Sequence, residues 1–481
     1  MVGARGVGMA LSLVSVTIST RLLLPSVYAL IAYVNVISYL VFTVTTAWTG
    51  TAVFRYGREE LERTGQMTGT TWARATLTAP LTVAAVPIVL AAFILGVFPH
   101  QFSIGFVCAA LGMGLLMAFG EHFLYMTQAA GRIRRGAIAQ VGQQALAVAT
   151  LALLFFSGVS GSPGAVIAIS VGASSLYALW LGAGIWRVAI WPPRVDRLLR
   201  QRMLRLSAPL MAFVVSDYVI RSVDLFAIGA LRPVADVGVY AVAYQVFVMG
   251  YGLATALPPV FQPLLVSLHL RNRSDLVTRY LDRIVPQIAF LAAVILGLAA
   301  PLAPLTVPVV FGPGFGGASV PMVLLMLALW FVIVTHLVGS ILTLHERTRV
   351  VMWAAAAAAT VNTVGDFAMV PVFGINGAAI ATICACLVYV IVYVPPSRRL
   401  VESRERLSWT ITLPLAAGVL PALLTQSWIG VPIGVIGVAV SSFAVLRFTD
   451  LLSENDLILI EHIDMPGHLA ALVRRLALLR A

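Results

Sequence analysis

The sequence predicts an all-α integral membrane protein of about fourteen transmembrane helices: two pseudo-symmetric six-helix bundles and a C-terminal helix pair. Three observations carry this. The chain of 481 residues is 60% hydrophobic and only 10% charged, against about 25% charged in soluble proteins. Its basic residues recur at every second interhelical segment. Its two long halves echo each other at a nearly constant offset. The length could hold several soluble domains, but the apolar content argues for one polytopic body.

A bilayer core takes about 18–25 apolar residues per helix. Runs of that kind lie near 7–24, 28–53, 75–98, 103–127, 136–157, 164–186, 206–230, 237–262, 284–309, 318–342, 350–372, 376–395, 408–425 and 428–446. The last two are short and rich in Gly and Pro. The first run continues past the length of a signal-peptide core without a small-residue cleavage site, so a cleaved leader is not expected.

Net charge is +12, and all 31 basic residues are Arg. With the N-terminus inside, the alternate segments 1–6, 54–74, 128–135, 187–205, 263–283, 343–349, 396–407 and 447–481 hold 28 of the 31. The intervening loops, such as SGVSGSPG and FGPGFGGAS, are nearly bare of charge. This is the positive-inside pattern. It predicts a multi-pass protein of the cytoplasmic membrane with both termini cytoplasmic. It also explains the basic balance through anionic headgroups, with no nucleic-acid partner needed. The sequon-like Asn272-Arg273-Ser274 falls on the inner side and is discounted.

The repeat rests on three echoes. SGSPGAVIAIS (160–170) matches FGINGAAIATI (373–383), TRLLLPSVYALIAY (20–33) matches GALRPVADVGVYAVAY (229–244), and GRIRRGAIAQ (131–140) matches ERTRVVMWAA (346–355). The offsets are 213, about 209 and about 215. They divide the chain into an N-terminal bundle 1–186, an Arg-rich cytoplasmic linker 187–205, a C-terminal bundle 206–395, an extra pair 408–446 and an amphipathic tail 447–481. An even number of helices per half makes the repeats parallel, and such folds place substrates between halves. The segments 54–74 and 264–283 and the tail read as amphipathic helices on the inner surface.

One spanning stretch breaks the apolar rule. LSAPLMAFVVSDYVIRSVDLFAIGA (206–230) carries Asp217, Arg221 and Asp224 at spacings of four and three, on one helical face. A lone charge near mid-membrane costs about 2.5–3.5 kcal/mol on insertion scales, so the stripe must face protein or a wet cavity. Asp217 and Arg221 could merely neutralise each other, which leaves Asp224 over. The three cysteines, Cys108, Cys384 and Cys386, sit in apolar runs with no ligand spacing and read as buried hydrophobes, so no metal site is expected. Prolines inside spans, such as Pro80, Pro87, Pro209 and Pro301, are tolerated in membranes and need no special role.

Four motifs carry a family resemblance: DLFAIGALRPVADVGVYAVAYQV (224–246), PPVFQPLL (258–265), FGPGFGGASVPMVLLML (311–327) and NTVGDFAMVPVFGINGAAIAT (362–382). With TRLLLPSVYAL in the first half, the chain resembles the polysaccharide flippases of the multidrug/oligosaccharidyl-lipid/polysaccharide (MOP) exporter superfamily. The resemblance implies twelve core helices in two bundles, often two more, a cavity that alternates between sides, and transfer of polyprenyl-linked glycans across the cytoplasmic membrane. The drug-extruding branch usually stops at twelve helices. The peptidoglycan-precursor branch has fourteen and a strongly basic cavity, from which the mixed charge here departs.

A lipid-linked glycan has an anionic phosphate, for which Arg is the natural partner, and hydroxyl-rich sugars. The candidate substrate-binding residues are therefore Arg21, Asp217, Arg221, Asp224, Asp366 and Asn362, the last two one turn apart. Arg21 could instead reach the headgroups from its helix end. Candidate ion-coupling residues are Glu121, His122 and Asp217, with proton or sodium as the ion and no cofactor. Glu121 and His122 could equally be a boundary pair facing the cytoplasm. His336 and Asn35 read as interhelical hydrogen-bonding groups. No phosphate-binding Gly loop, nucleophile elbow or HExxH is present, so an enzyme is not expected. A drug or small-amphiphile exporter is the alternative within transport, and a membrane-embedded polysaccharide polymerase the alternative of another class. The expected partners are the lipid-linked glycan, membrane lipids and a glycan polymerase or glycosyltransferases, with the protein itself a monomer.

Overall fold

The computed structural model describes residues 2–96, 102–158, 161–194, 196–403, 408–449 and 451. The described residues form helices and no strands. In order these are α1 (Val2–Leu22), α2 (Pro25–Thr45), α3 (Gly50–Thr64), α4 (Thr68–Ile94), α5 (Ile104–Ala129), α6 (Ile133–Phe156), α7 (Pro163–Ala189), α8 (Arg197–Leu231) and α9 (Val234–Ala254). They continue with α10 (Pro258–Leu270), α11 (Ser274–Arg279), α12 (Val285–Ala299), α13 (Ala303–Phe311), α14 (Ser319–Leu344), α15 (Thr348–Phe373), α16 (Ile375–Leu400), α17 (Leu413–Thr425) and α18 (Gly430–Phe448).

Among the described residues, eleven helical runs are long and apolar enough to cross a membrane, and Gly6–Leu22 and Trp409–Thr425 are shorter apolar helices. The remaining expected span is α8, which has the length but carries Asp217, Arg221 and Asp224 in its apolar part. Each of the fourteen expected runs thus finds a helix. The amphipathic tail lies almost wholly outside the described residues.

Several boundaries differ from the sequence reading, and for three of them the structure shows the physical reason. The second span ends at Thr45, and after a 3-10 turn at Ala47–Thr49 the chain re-enters a helix as α3. The apolar side of α3, Ala52 and Val53, is buried with Met67, Met126, Ala129, Ile185, Ala189 and Met203. The third span starts at Thr68 rather than 75, because Glu60 on α3 caps it. Glu60 accepts from the backbone N–H of Gly69 (2.8 Å) and Thr70 (2.7 Å) and from the Thr70 hydroxyl (2.8 Å). A carboxylate there satisfies orphan donors and complements the helix dipole. The ninth span is divided by a 3-10 turn, Ala300–Leu302, at Pro301, where proline removes a backbone donor.

The described residues group into two compact units. One holds the residues up to Val242 with Val310–Gly317 and Asn362–Ala378; the other holds Ala243–Val309, Ala318–Val361 and the residues from Ala379 on. Within the first unit α2 lies against α5, α4 and α8, and α8 also lies against α3 and α4. Asp196 opens α8 as its cap, accepting from the N–H of Leu198 (2.9 Å) and Leu199 (3.0 Å).

Within the second unit α12 packs on α14, α17 and α18. The α12–α17 crossing is made by Gly297 and Gly418. A Cβ on Gly418 would stand 1.9 Å from the Gly297 carbonyl oxygen, and one on Gly297 would stand 2.4 Å from the Pro414 oxygen. Small residues let membrane helices approach closely, and dispersion then replaces the missing hydrophobic drive. Trp330 of α14, fully buried, donates its indole N–H to the Ala289 carbonyl of α12 at 2.8 Å.

Candidate functional site

The polar stripe of α8 divides into two sites within the first unit. Asp217 and Arg221, one turn apart, form an ion pair through the Arg221 Nη2. That nitrogen also donates to the Tyr39 hydroxyl of α2, and the guanidinium stands 4.9 Å from the Tyr39 ring centroid. Next to it, Tyr218 donates to the Val36 carbonyl at 3.2 Å. The Arg221 and Asp217 side chains keep 21% and 20% of their surface accessible. The pair is therefore partly wetted, and a guanidinium is the side chain whose geometry suits an oxyanion.

Asp224 is different. It is 1% exposed and accepts from the Tyr240 hydroxyl of α9. Its other oxygen accepts from the Asn362 amide of α15 at 2.8 Å. The same amide donates to Asp366 at 2.9 Å. Asn362 and Asp366 are fully buried, and the Oδ1 of each has no hydrogen-bond donor. Two carboxylates, an amide oxygen and a phenol in one dry place form an oxygen-lined cage. Like charges so placed are relieved by a proton or a small hard cation between them. The cage has the oxygens to share a proton between its two acids. No group of three or more His, Cys, Asp or Glu able to hold a metal occurs among the described residues.

The other candidates lie elsewhere in the same unit. Arg21 is exposed in the last turn of α1, with its Nε 3.4 Å from the Val310 carbonyl oxygen. His122 is 8% exposed, and neither ring nitrogen has a hydrogen-bond partner. Glu121 lies within electrostatic reach of Arg74. Arg74, read from the sequence as part of an inner loop, is 3% exposed inside α4. It donates from Nε to Thr49 Oγ1 at 2.8 Å and from Nη2 to the Thr46 carbonyl at 3.1 Å.

Sequence reasoning missed Tyr39, Tyr240 and Arg74. Tyrosines at helical spacing look like core residues, and only their partners reveal the role. Arg74 carried one usable signal: it stands between the polar run GQMTGTTWA and the apolar run that follows, so a helix begun one turn or two earlier takes it inside.

A fold of this kind defines a class, the multi-pass helical membrane protein. No protein-family model matches the chain, and no curated protein matches its sequence. Solved structures do. The lipid II flippase MurJ in an inward closed conformation is 13% identical with a TM-score of 0.67, covering 92% of this chain and 97% of that one. An inward-facing multidrug-resistance MATE family transporter of the MOP superfamily is 15% identical with a TM-score of 0.61, covering 82% and 94%. A MOP superfamily transporter from Pyrococcus furiosus, described as having a binding pocket of reverse polarity, is 14% identical with a TM-score of 0.55, covering 84% and 94%. The chain has the fold these transporters share.

Proposed function

We propose that the protein is a flippase that moves polyprenyl-linked oligosaccharide or polysaccharide repeat units across the cytoplasmic membrane by alternating access, with no enzymatic step. The halves 1–186 and 206–395 are the rocking bodies, and both termini are cytoplasmic. Arg221, with Asp217 and Tyr39 beside it, meets the lipid phosphate; Arg21 is a second phosphate partner. Asp224, Asn362 and Asp366 take up the coupling proton or sodium, with Glu121 and His122 as a further proton-carrying pair.

The observation that supports this most is the caged pair of carboxylates on α8 and α15. A purely structural membrane helix gains nothing from buried acids that insertion disfavours, whereas ion-driven transport requires them. A polymerase instead needs catalytic groups on its outer loops, which are nearly bare of charge.

The likeness to a multidrug-resistance MATE family transporter favours a second reading, export of drugs or small amphiphiles. One experiment separates the readings. Cells lacking the protein should accumulate lipid-linked glycan on the inner leaflet, scored by accessibility to a membrane-impermeant glycosidase. Normal surface glycan with raised drug sensitivity would support the exporter instead. Flipped but unlinked units would point to a polymerase.

A further inference from the structure

A polar cleft lies apart from the charged stripe of α8, where α3, the start of α4 and the start of α8 meet. Its volume is about 220 Å³, below the roughly 300–1,000 Å³ of most small-molecule sites. Three arginines, Arg63, Arg194 and Arg202, and three acids, Glu59, Glu60 and Asp196, line it. Gly69, the second residue of α4, lines it as well. The run from Thr68 to Ile94 is long and apolar enough to cross a membrane. A cleft at its first turn therefore opens at the level of the lipid head groups.

The six charges do not simply cancel, because each acid is already engaged. Glu60 accepts from the N–H groups of Gly69 and Thr70 and from the Thr70 hydroxyl. Asp196 accepts from the N–H groups of Leu198 and Leu199. Each of these two acids thus caps a helix whose N-terminus itself carries about half a positive charge. Glu59 is paired with Arg63 at 3.0 Å. Arg194 and Arg202 are left over. Both are exposed, and neither has an ion pair or a side-chain hydrogen bond with another described residue. The lining therefore carries an excess of about one positive charge, and its two uncommitted cations are guanidinium groups. Their planar forks match phosphate oxygens. Leu198, 59% exposed at the same cleft, adds apolar surface for the first carbons of a lipid chain.

We propose that this cleft holds the phosphate head of an anionic phospholipid, with Arg194 and Arg202 as its two cations. The space is too small for a sugar repeat unit, so the occupant is a lipid of the surrounding membrane, and the proposal holds whichever cargo the protein moves. Arg194 precedes α8 and Arg202 lies within it. A phosphate held by both ties the segment that joins α7 to α8 onto the body of α8.

The test is native mass spectrometry of the purified full chain, titrated in turn with phosphatidate, phosphatidylcholine of the same chains, and phosphatidate in the presence of glycerol 3-phosphate. Phosphatidate should be retained at least fivefold more than phosphatidylcholine. The double variant Arg194→Gln with Arg202→Gln should lose that preference. A second double variant, Arg197→Gln with Arg205→Gln, removes the same charge from exposed positions of α8 outside the cleft lining, and it should keep the preference. Equal retention of the two lipids, an unchanged preference in the first variant, or an equal loss in both variants would overturn the proposal, the last by showing diffuse surface charge in place of a site. Displacement of phosphatidate by glycerol 3-phosphate at matched concentration would also overturn it, by making the ligand a soluble phosphate ester.

Discussion

Asp224 and Asn362 are 138 positions apart in the chain and are joined by a 2.8 Å hydrogen bond. The Asn362 amide has a second hydrogen, and it goes to Asp366 one turn further along α15. One neutral side chain thus holds two carboxylates of different helices against each other. Removing it should do more than remove a hydrogen bond. Asn362→Leu leaves the acids without their shared donor and without an oxygen for a cation. Transport should fall by at least tenfold while the protein remains in the membrane, checked by flux in proteoliposomes with and without an imposed proton or sodium gradient. Unchanged gradient dependence would remove the cage from the mechanism.

The Asp217–Arg221 pair yields a different pattern. Asp217→Asn alone leaves Arg221 uncompensated, at a cost of about 2.5–3.5 kcal/mol if no water reaches it. The pair keeps about a fifth of its surface accessible, so the observed loss should be smaller, on the order of 1 kcal/mol. The double variant Asp217→Asn with Arg221→Gln should recover the thermal stability of the single variant's parent. If Arg221 meets the phosphate as proposed, transport should still fall sharply, because Arg21 alone then remains for it. Full transport by the double variant would reduce the pair to self-neutralisation.

Tyr39 separates stacking from hydrogen bonding at the same place. Tyr39→Phe keeps the ring beneath the Arg221 guanidinium and removes only the hydroxyl. Tyr39→Ala removes both. Cation–π contacts contribute about 0.5–2 kcal/mol and a hydrogen bond to a charged group about 1.5–3 kcal/mol. Apparent substrate affinity should therefore weaken in both variants and more in the alanine variant, measured as the half-saturating concentration for transport.

Glu60 is a structural prediction. Its carboxylate accepts three hydrogen bonds at the start of α4, and capping losses are about 1 kcal/mol. Glu60→Ala should lower the melting temperature by a few degrees and leave substrate affinity alone. Glu60→Gln, which keeps an acceptor but no charge, should fall between.

The glycine crossing of α12 and α17 is more severe. A side chain on Gly418 meets the Gly297 backbone at 1.9 Å, which no rotamer relieves. Gly418→Val should lower the yield of folded protein sharply, read by size-exclusion profile, whereas Gly316→Ala, which has open space around it, should not.

Much of this was legible in the chain itself. The number of helices, their order and the amphipathic segment after the second span follow from hydropathy and charge, because lipid forbids unsatisfied backbone and exposed charge. The trio on α8 announced itself for the same reason: in a helix that crosses lipid, three charged residues on one face need an environment other than lipid. Asp366 and Asn362 were visible as one polar turn of α15. What a linear reading could not supply was partnership. It placed Asp217, Arg221 and Asp224 on one face and offered the Asp217–Arg221 pair, and only the tertiary structure brought Tyr39 to that pair and Tyr240, Asn362 and Asp366 to Asp224. It took Arg74 for a loop residue, since a buried cation is told from a solvated one only by what surrounds it. Periodicity along one helix fixes which residues share a side. Which residues of other helices stand opposite that side depends on packing across more than a hundred positions of intervening chain, and only the folded molecule contains that information.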